Sequence, residues 1–357
     1  MTQTSKPTIA APIRPPGLPG AAFAPPQAAP PRFDGGKLAL ALQGGGSFGA
    51  FTWGVLDRLL EHGDIDWDMV SGTSAGAVNA VLLADGLAEG GPAAARAKLA
   101  WFWEQVSRRA PSGAALLAVT ALGSSMRWIT PFAFDPPTLN PLRELLTEAV
   151  DFDRLGAAAA GGNGPRLLIA ATRVRDGRAM LFRDAGVTLD TVLASACLPF
   201  LGQPVVIDGE ACWDGGFSAN PPLHALVEES AVDDLLLVQL LPRQRNGVPR
   251  SGQETVQRVQ ELTFNAPLQR EEDALEALRN AGAGRLFRSP LARRLKRLRL
   301  HRIAAPEAVA GLEQESPLDT SWPLLQRLMA AGRTAAEAWL AGDSEAEDGP
   351  VAPARAL

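Results

Sequence analysis

The sequence predicts an α/β protein of three layers, with a mainly parallel central sheet flanked by helices. Three observations carry that expectation. Short apolar runs alternate with longer helix-like segments, the order expected of a parallel sheet with crossover helices. Two of those runs end on glycine-bearing turns that lead straight into a helix, at Gly44-Gly45-Gly46 and at Gly72-Thr73-Ser74-Ala75-Gly76. The composition, 46% hydrophobic and 20% charged over 357 residues, suits a large buried core.

Taken in order, residues 1–35 are rich in Pro, Ala and Gly, with Pro15-Pro16, Pro25-Pro26 and Pro30-Pro31, and are expected to be a disordered leader. The folded domain is expected over 36–341. It opens with a strand from Lys37 to Gln43, a helix from Gly49 to His62 and a short strand from Asp68 to Ser71. After the serine turn come helices at Ala77 to Leu87 and Ala93 to Arg108. The apolar but irregular segment Ala114 to Phe134 holds Trp128, Phe132 and Phe134 and is punctuated by Pro131 and Pro136. It reads equally as a core-packed excursion or as a lipid-facing flap. Further strands are expected at Arg166 to Thr172, Ala179 to Phe182 and Asp234 to Leu241, with helices at Thr188 to Ala196 and Leu324 to Leu340. An acidic tail over 342–357, with Asp343, Glu345, Glu347 and Asp348, is expected to be disordered; no internal repeat is visible.

Several classes of function are disfavoured at this level. A net charge of −5 gives no global attraction to nucleic acid or to an anionic membrane. Cys197 and Cys212 are the only cysteines, and no Cys/His ligand set surrounds them, so neither a disulfide framework nor a metal site is expected. Both read as small core residues. The N-terminus lacks the apolar run of a signal peptide, and no stretch reaches about 18 uninterrupted apolar residues, so a cytoplasmic protein is expected.

Gly72-Thr73-Ser74-Ala75-Gly76 matches G-x-S-x-G between a strand and a helix. So tight a turn lifts the Ser74 hydroxyl above the sheet, and the helix behind it aims the positive end of its dipole at charge developing there. The bland alternative is a helix-capping serine. Gly44-Gly45-Gly46-Ser47-Phe48-Gly49 exposes several backbone N–H groups, which suit either an oxyanion or a phosphate. It also satisfies G-x-G-x-x-G. A dinucleotide site, however, wants an acid at the end of the second strand, whereas Asp64, Asp66 and Asp68 precede that strand and its end is the serine turn. A third cluster, Trp213-Asp214-Gly215-Gly216, is on its own an ordinary turn. It gains weight because a serine hydrolase needs a base and the chain holds only His62, His224 and His301. His224 alone preserves the order Ser, Asp, His of an α/β-hydrolase.

Together, in this order, Gly44-Gly45-Gly46-Ser47-Phe48-Gly49, Gly72-Thr73-Ser74-Ala75-Gly76 and Asp214-Gly215-Gly216 resemble the bacterial patatin-like phospholipases. Ser195-Ala196-Cys197-Leu198-Pro199 and Asn220 resemble weaker blocks of that family, and the resemblance runs from about Leu38 to Leu241. It implies a lipid acyl hydrolase that uses Ser74 as nucleophile and Asp214 as its base, in a dyad without histidine. Gly44, Gly45 and Gly46 would then form the oxyanion hole, with Gly49, Gly72, Gly76, Gly215 and Gly216 as supporting motif positions and no cofactor or metal. One position departs from the pattern: Phe48 stands where many members carry Arg or Lys, and is suited to lining an acyl-binding groove.

The expected partner is a lipid or other acyl ester. A peripheral hold on anionic membrane could come from the basic stretch Arg285, Arg288, Arg293, Arg294, Lys296, Arg297, Arg299 and Arg302, interleaved with leucines; a merely solvated charged face is the other outcome. Two other functions stay open, a triad esterase using His224 and a non-catalytic lipid- or nucleotide-binding protein.

Overall fold

The computed structural model describes residues 33, 35–109, 140–199, 203–244, 247–281, 290–305 and 318–342. The segment Ala114 to Phe134, read as core-packed excursion or flap, and almost all of the leader and tail lie outside them.

Five strands form the parallel part of an eight-stranded sheet: β1 (Gly36–Leu42), β2 (Ile65–Thr73), β3 (Arg166–Arg173), β7 (Asp234–Gln239) and β8 (Arg299–Ala304). β4 (Ala179–Arg183), β5 (Val205–Ile207) and β6 (Glu210–Asp214) add an antiparallel flank on the β3 side. The order across the sheet is β5-β6-β3-β2-β1-β7-β8, with β4 paired to β3.

Alternation along β1 shows why both faces must be covered. Leu38, Leu40 and Leu42 point into one core and Ala39 and Ala41 into another, all fully buried. The larger core takes α1 (Gly49–His62), α2 (Ala75–Arg109), α3 (Pro141–Ala149), α4 (Phe152–Gly161), α5 (Leu189–Ser195) and α9 (Trp322–Ala341). On the opposite face lie α6 (Leu223–Glu229), α7 (Gly252–Ala281) and α8 (Pro290–Arg297), through Leu223, Leu226, Leu268, Leu275 and Leu295. Helix, sheet and helix are the three layers expected.

Local differences from expectation have identifiable causes. The helices expected at Ala77 to Leu87 and Ala93 to Arg108 form one kinked element, bent where Gly90 and Gly91 leave helical geometry just before Pro92. β2 begins at Ile65 and runs through Thr73, because β1 pairs with it from Ile65, past the polar residues at its start, and β3 from Met69 to Thr73. In the described part of the basic stretch, four of the six cations turn to the fold. That part supplies most of α8 and the edge strand β8: Arg294 donates to the Val227 and Val232 carbonyls, Arg297 and Arg299 pair with Asp233 and Asp234, and Arg302 binds Gln239 and Glu272. Arg285 and Arg288 lie outside the described residues.

The topology leaves one position of special interest. β3 pairs with β2 up to Ala170, opposite Thr73, and with β6 from Ala171, opposite Asp214. β2 and β6 therefore approach head to head along the same side of β3. Their ends, Ser74 and Asp214, meet where one partner strand hands over to the other. That meeting point lies at the carboxyl edge of the parallel strands, the usual edge for function in an open α/β sheet.

Candidate active site

Ser74 is the whole of the turn between β2 and α2, and its φ of 54° lies in the left-handed region that a side chain seldom adopts. The hydroxyl-bearing residue is 8% exposed. Backbone runs so close here that flanking side chains are excluded: a Cβ at Gly72 would lie 2.5 Å from the Gly76 carbonyl oxygen, and one at Gly76 would lie 2.1 Å from that of Leu42. The strained conformation is held by its surroundings. Ser74 N–H donates to the buried Ser195 Oγ at 2.9 Å, and Thr73 Oγ1 donates to the Ala219 carbonyl at 2.7 Å.

The glycine loop presses directly on this elbow. A Cβ at Gly44 would stand 2.8 Å from Ser74 Cβ and 2.7 Å from the Thr73 carbonyl oxygen. Gly44 N–H donates to Asn220 Oδ1 at 2.8 Å, so it is not free to receive an oxyanion. Among the described residues no partner takes the N–H of Gly45 or Gly46, and Gly46, at φ 60°, is half-buried where the loop turns into α1. The loop is rooted by Gln43. Its Oε1 accepts the N–H groups of Leu240 and Leu241 at 2.8 and 2.9 Å, and its Nε2 donates to Asn265 Oδ1 at 3.0 Å. Phe48 is half-buried and packs against the larger core. Gly49 admits Ala75 and Trp103 at distances that leave no room for a Cβ.

Asp214 is completely buried at the end of β6. Oδ1 accepts the Gly216 N–H at 2.8 Å, while Oδ2 has no hydrogen-bond partner. The backbone around it is pinned, with its N–H on the Cys197 carbonyl at 2.7 Å and its own carbonyl accepting from Thr172 Oγ1 at 2.8 Å. Burial pushes the carboxyl up to about 7, against the pull of the Gly216 N–H and of the Ser74 side chain, both of which favour the anion. Gly215 lets this turn settle on β3, since a Cβ there would lie 2.2 Å from the Ala170 carbonyl oxygen; at Gly216 the close neighbour is the Phe264 ring of α7.

The three sequence clusters are thus brought to one place, and the histidines are not. Asp214 forms no hydrogen bond to an imidazole. The His224 side chain is 38% exposed with Glu228 3.8 Å away, and its backbone N–H is held by Glu271 at the start of α6. His301 is buried against Asp234 in β8, and His62 sits at the exposed end of α1. Ser195 and Asn220, visible in sequence only as weak blocks, brace the elbow and the glycine loop, and Asn220 Nδ2 also donates to the Phe264 carbonyl at 3.0 Å. Residue type and spacing gave no sign of α7 as a neighbour of the site.

The sheet and the groups gathered at its edge define a class, the α/β acyl hydrolases. Within that class a family model for patatin-like phospholipase matches residues 40–227, just over half of the chain, and the chain belongs to this family of lipid acyl hydrolases. No protein of curated function matches it. Among solved structures the chain is similar to VipD from Legionella pneumophila, at 16% identity and a TM-score of 0.40, over 87% of this chain and 67% of that one. It is also similar to ExoU in the ExoU–SpcU complex of the type III secretion system of Pseudomonas aeruginosa, at 19% identity and a TM-score of 0.31. That match covers 73% of this chain and 62% of ExoU, so the chain spans less than two thirds of that relative.

Proposed function

We propose that this protein hydrolyses carboxylic esters of lipids by two-step acyl transfer at Ser74. The observation that carries the proposal is the buried Asp214 carboxyl, with one oxygen unpartnered, at the handover on β3 where the elbow serine also ends its strand. Ser74 Oγ attacks the ester carbonyl while its proton passes to Asp214. The charge that develops on the carbonyl oxygen is received by the N–H groups of Gly45 and Gly46, with the N-terminus of α2 behind the serine adding its dipole. Gly44 serves as the thin spacer that lets the loop approach. Asp214 then returns the proton to the departing alcohol, and water reverses the sequence to release the fatty acid. A group with a proton affinity near neutrality can both take and give that proton at ordinary pH.

No helix among the described residues is long and apolar enough to cross a membrane. The enzyme is therefore proposed to meet its substrate at a lipid surface without a helical anchor from these residues. A test compares the parent with Ser74→Ala and Asp214→Asn on a series of acyl esters and phospholipids, alongside labelling by a fluorophosphonate. Both variants are expected to lose at least about a thousandfold in kcat/KM, with labelling lost in Ser74→Ala. Equal turnover in all three proteins would falsify the proposal. A His224→Ala variant is expected to keep full activity, since that side chain makes no contact with Asp214.

A further inference from the structure

The N-terminal half of α7 is a wall of the site on its inner side and an uncharged apolar face on its outer side. Inward, Glu261, Asn265 and Leu268 are buried. Asn265 holds the root of the glycine loop through Gln43, and Phe264 closes on Gly216 and stacks at a tilt against Phe217, ring centres 5.1 Å apart. Outward, the exposed positions from 255 to 263 are Thr255, Val256, Val259, Gln260, Leu262 and Thr263, none of them charged. Arg258, the one cation within that span, is turned to Glu261 at 3.2 Å. Val256, Val259 and Leu262 are 61%, 56% and 51% exposed, and with Val248 in the approach to the helix they make up most of the large apolar side chains exposed among the described residues.

We infer that this outer face of α7 is the surface by which the protein seats itself on lipid, inserting apolar side chains among the acyl chains beside the site. The inference rests on the lipid hydrolase proposal and adds where the lipid surface lies. Three features favour lipid over another occupant. The face belongs to the element whose inner side touches the Asp214–Gly216 turn, so a surface docked there is next to Ser74's edge of the sheet. Its exposed positions from 255 to 263 carry no charged side chain that would have to be desolvated on entering an apolar phase. And four cations of the neighbouring basic stretch are spent on the fold: Arg294, Arg297, Arg299 and Arg302 are engaged within it, in a chain of net charge −5. Apolar insertion of an interfacial helix needs none of those charges.

The test uses the full chain, phosphatidylcholine vesicles and a soluble short-chain ester, in the parent and in a triple variant, Val256→Asp with Val259→Asp and Leu262→Asp. A second triple variant to serine removes the apolar area without adding charge. Both triple variants are expected to keep soluble-ester kcat/KM within about twofold, since none of the three side chains belongs to the site. Vesicle partitioning and vesicle-lipid hydrolysis are expected to fall at least about tenfold with serine and further with aspartate. Unchanged partitioning in both triple variants overturns the inference. So does a change confined to oligomeric state by light scattering or to melting temperature, which would assign the face to a second copy or to another part of this chain. A parent that cleaves the soluble ester but does not bind vesicles sinks the docking surface and leaves the hydrolase standing. A parent that binds vesicles through this face yet cleaves no ester does the reverse.

Discussion

If Asp214 is the base proposed above, one residue couples activity to stability. A carboxyl that is neutral below about 7 in the folded protein, and ionises near 3.9 when unfolded, binds its proton more tightly in the native state. Its contribution to stability is then fully present below about pH 4, falls as pH rises from there, and is lost once pH passes about 7. The shift corresponds to a cost on the order of 4 kcal/mol at alkaline pH, an upper bound for a site that can relax. Asp214→Asn keeps an acceptor for the Gly216 N–H and removes the ionisation. It is therefore expected to be inactive yet more stable than the parent at pH 8, with the gain vanishing near pH 4, as urea midpoints at the two pH values will show. In the proposed mechanism the ionised form acts as base, so kcat/KM of the parent on a soluble ester is expected to rise tenfold per pH unit and level off around neutrality. A flat profile between about pH 5 and pH 9 would remove Asp214 from the role of base. Gly44 offers a steric counterpart. Gly44→Ala puts a methyl 2.8 Å from Ser74 Cβ and must push the donor loop off the nucleophile. A loss of about a hundredfold or more in kcat is expected with the fold retained by circular dichroism, the size associated with losing an oxyanion donor.

Elements explain which parts of this arrangement could be foreseen. β1, the end of β2 and the start of α2 were legible because each carries its own local signal: a run of apolar residues, then glycines at the point of closest backbone approach. Ser74 followed from its setting for the same reason. Asp214 did not, since Asp-Gly-Gly reads as a turn, and what makes it matter is its non-local pairing with Ala171 on β3. The basic stretch stayed open in sequence because charge patterning cannot distinguish solvent from carbonyls as the partner of a guanidinium; Arg294 finds Val227 and Val232. α7 was missed because Pro267 and many polar residues interrupt its pattern, and its two faces serve different purposes. The contact of α1 with α9 was equally hidden, although both helices were expected. Gly54 and Gly332 bring the two backbones together: a Cβ at Gly54 would stand 1.9 Å from the Met329 carbonyl oxygen, and one at Gly332 would stand 2.1 Å from that of Phe51. Gly332→Ala must separate the helices and is expected to cost about 1–3 kcal/mol of unfolding free energy, despite alanine's better helix propensity. A urea midpoint equal to or above the parent's would show that the contact is looser than this geometry.

At the scale of the whole molecule, much of the charge on the described residues is used to hold the fold together. Thirty-four basic and 39 acidic residues give a net charge of −5. Among the described residues many of them pair: Asp57 takes both Arg96 and Arg333, Asp85 takes Lys98 and Arg154, and Glu272 takes Arg243 and Arg302. The carboxylates of these pairs are buried or nearly so, which leaves them less screened by salt than an exposed pair and holds their cations against the fold. If the uncharged face of α7 is what seats the protein on lipid, salt should act in a direction opposite to that of a basic membrane-binding patch. Raising ionic strength screens the repulsion between a negative protein and anionic lipid and does nothing to apolar insertion. Partitioning onto phosphatidylcholine vesicles is therefore expected to be insensitive to sodium chloride. Vesicles enriched in phosphatidylserine are expected to bind no better at low salt, and to recover toward the neutral vesicles as salt is added. Tighter binding to the anionic vesicles, lost on adding salt, would instead assign membrane contact to cations. In that case Arg293 and Lys296 on exposed positions of α8, with Arg285 and Arg288, would be the side chains to neutralise first.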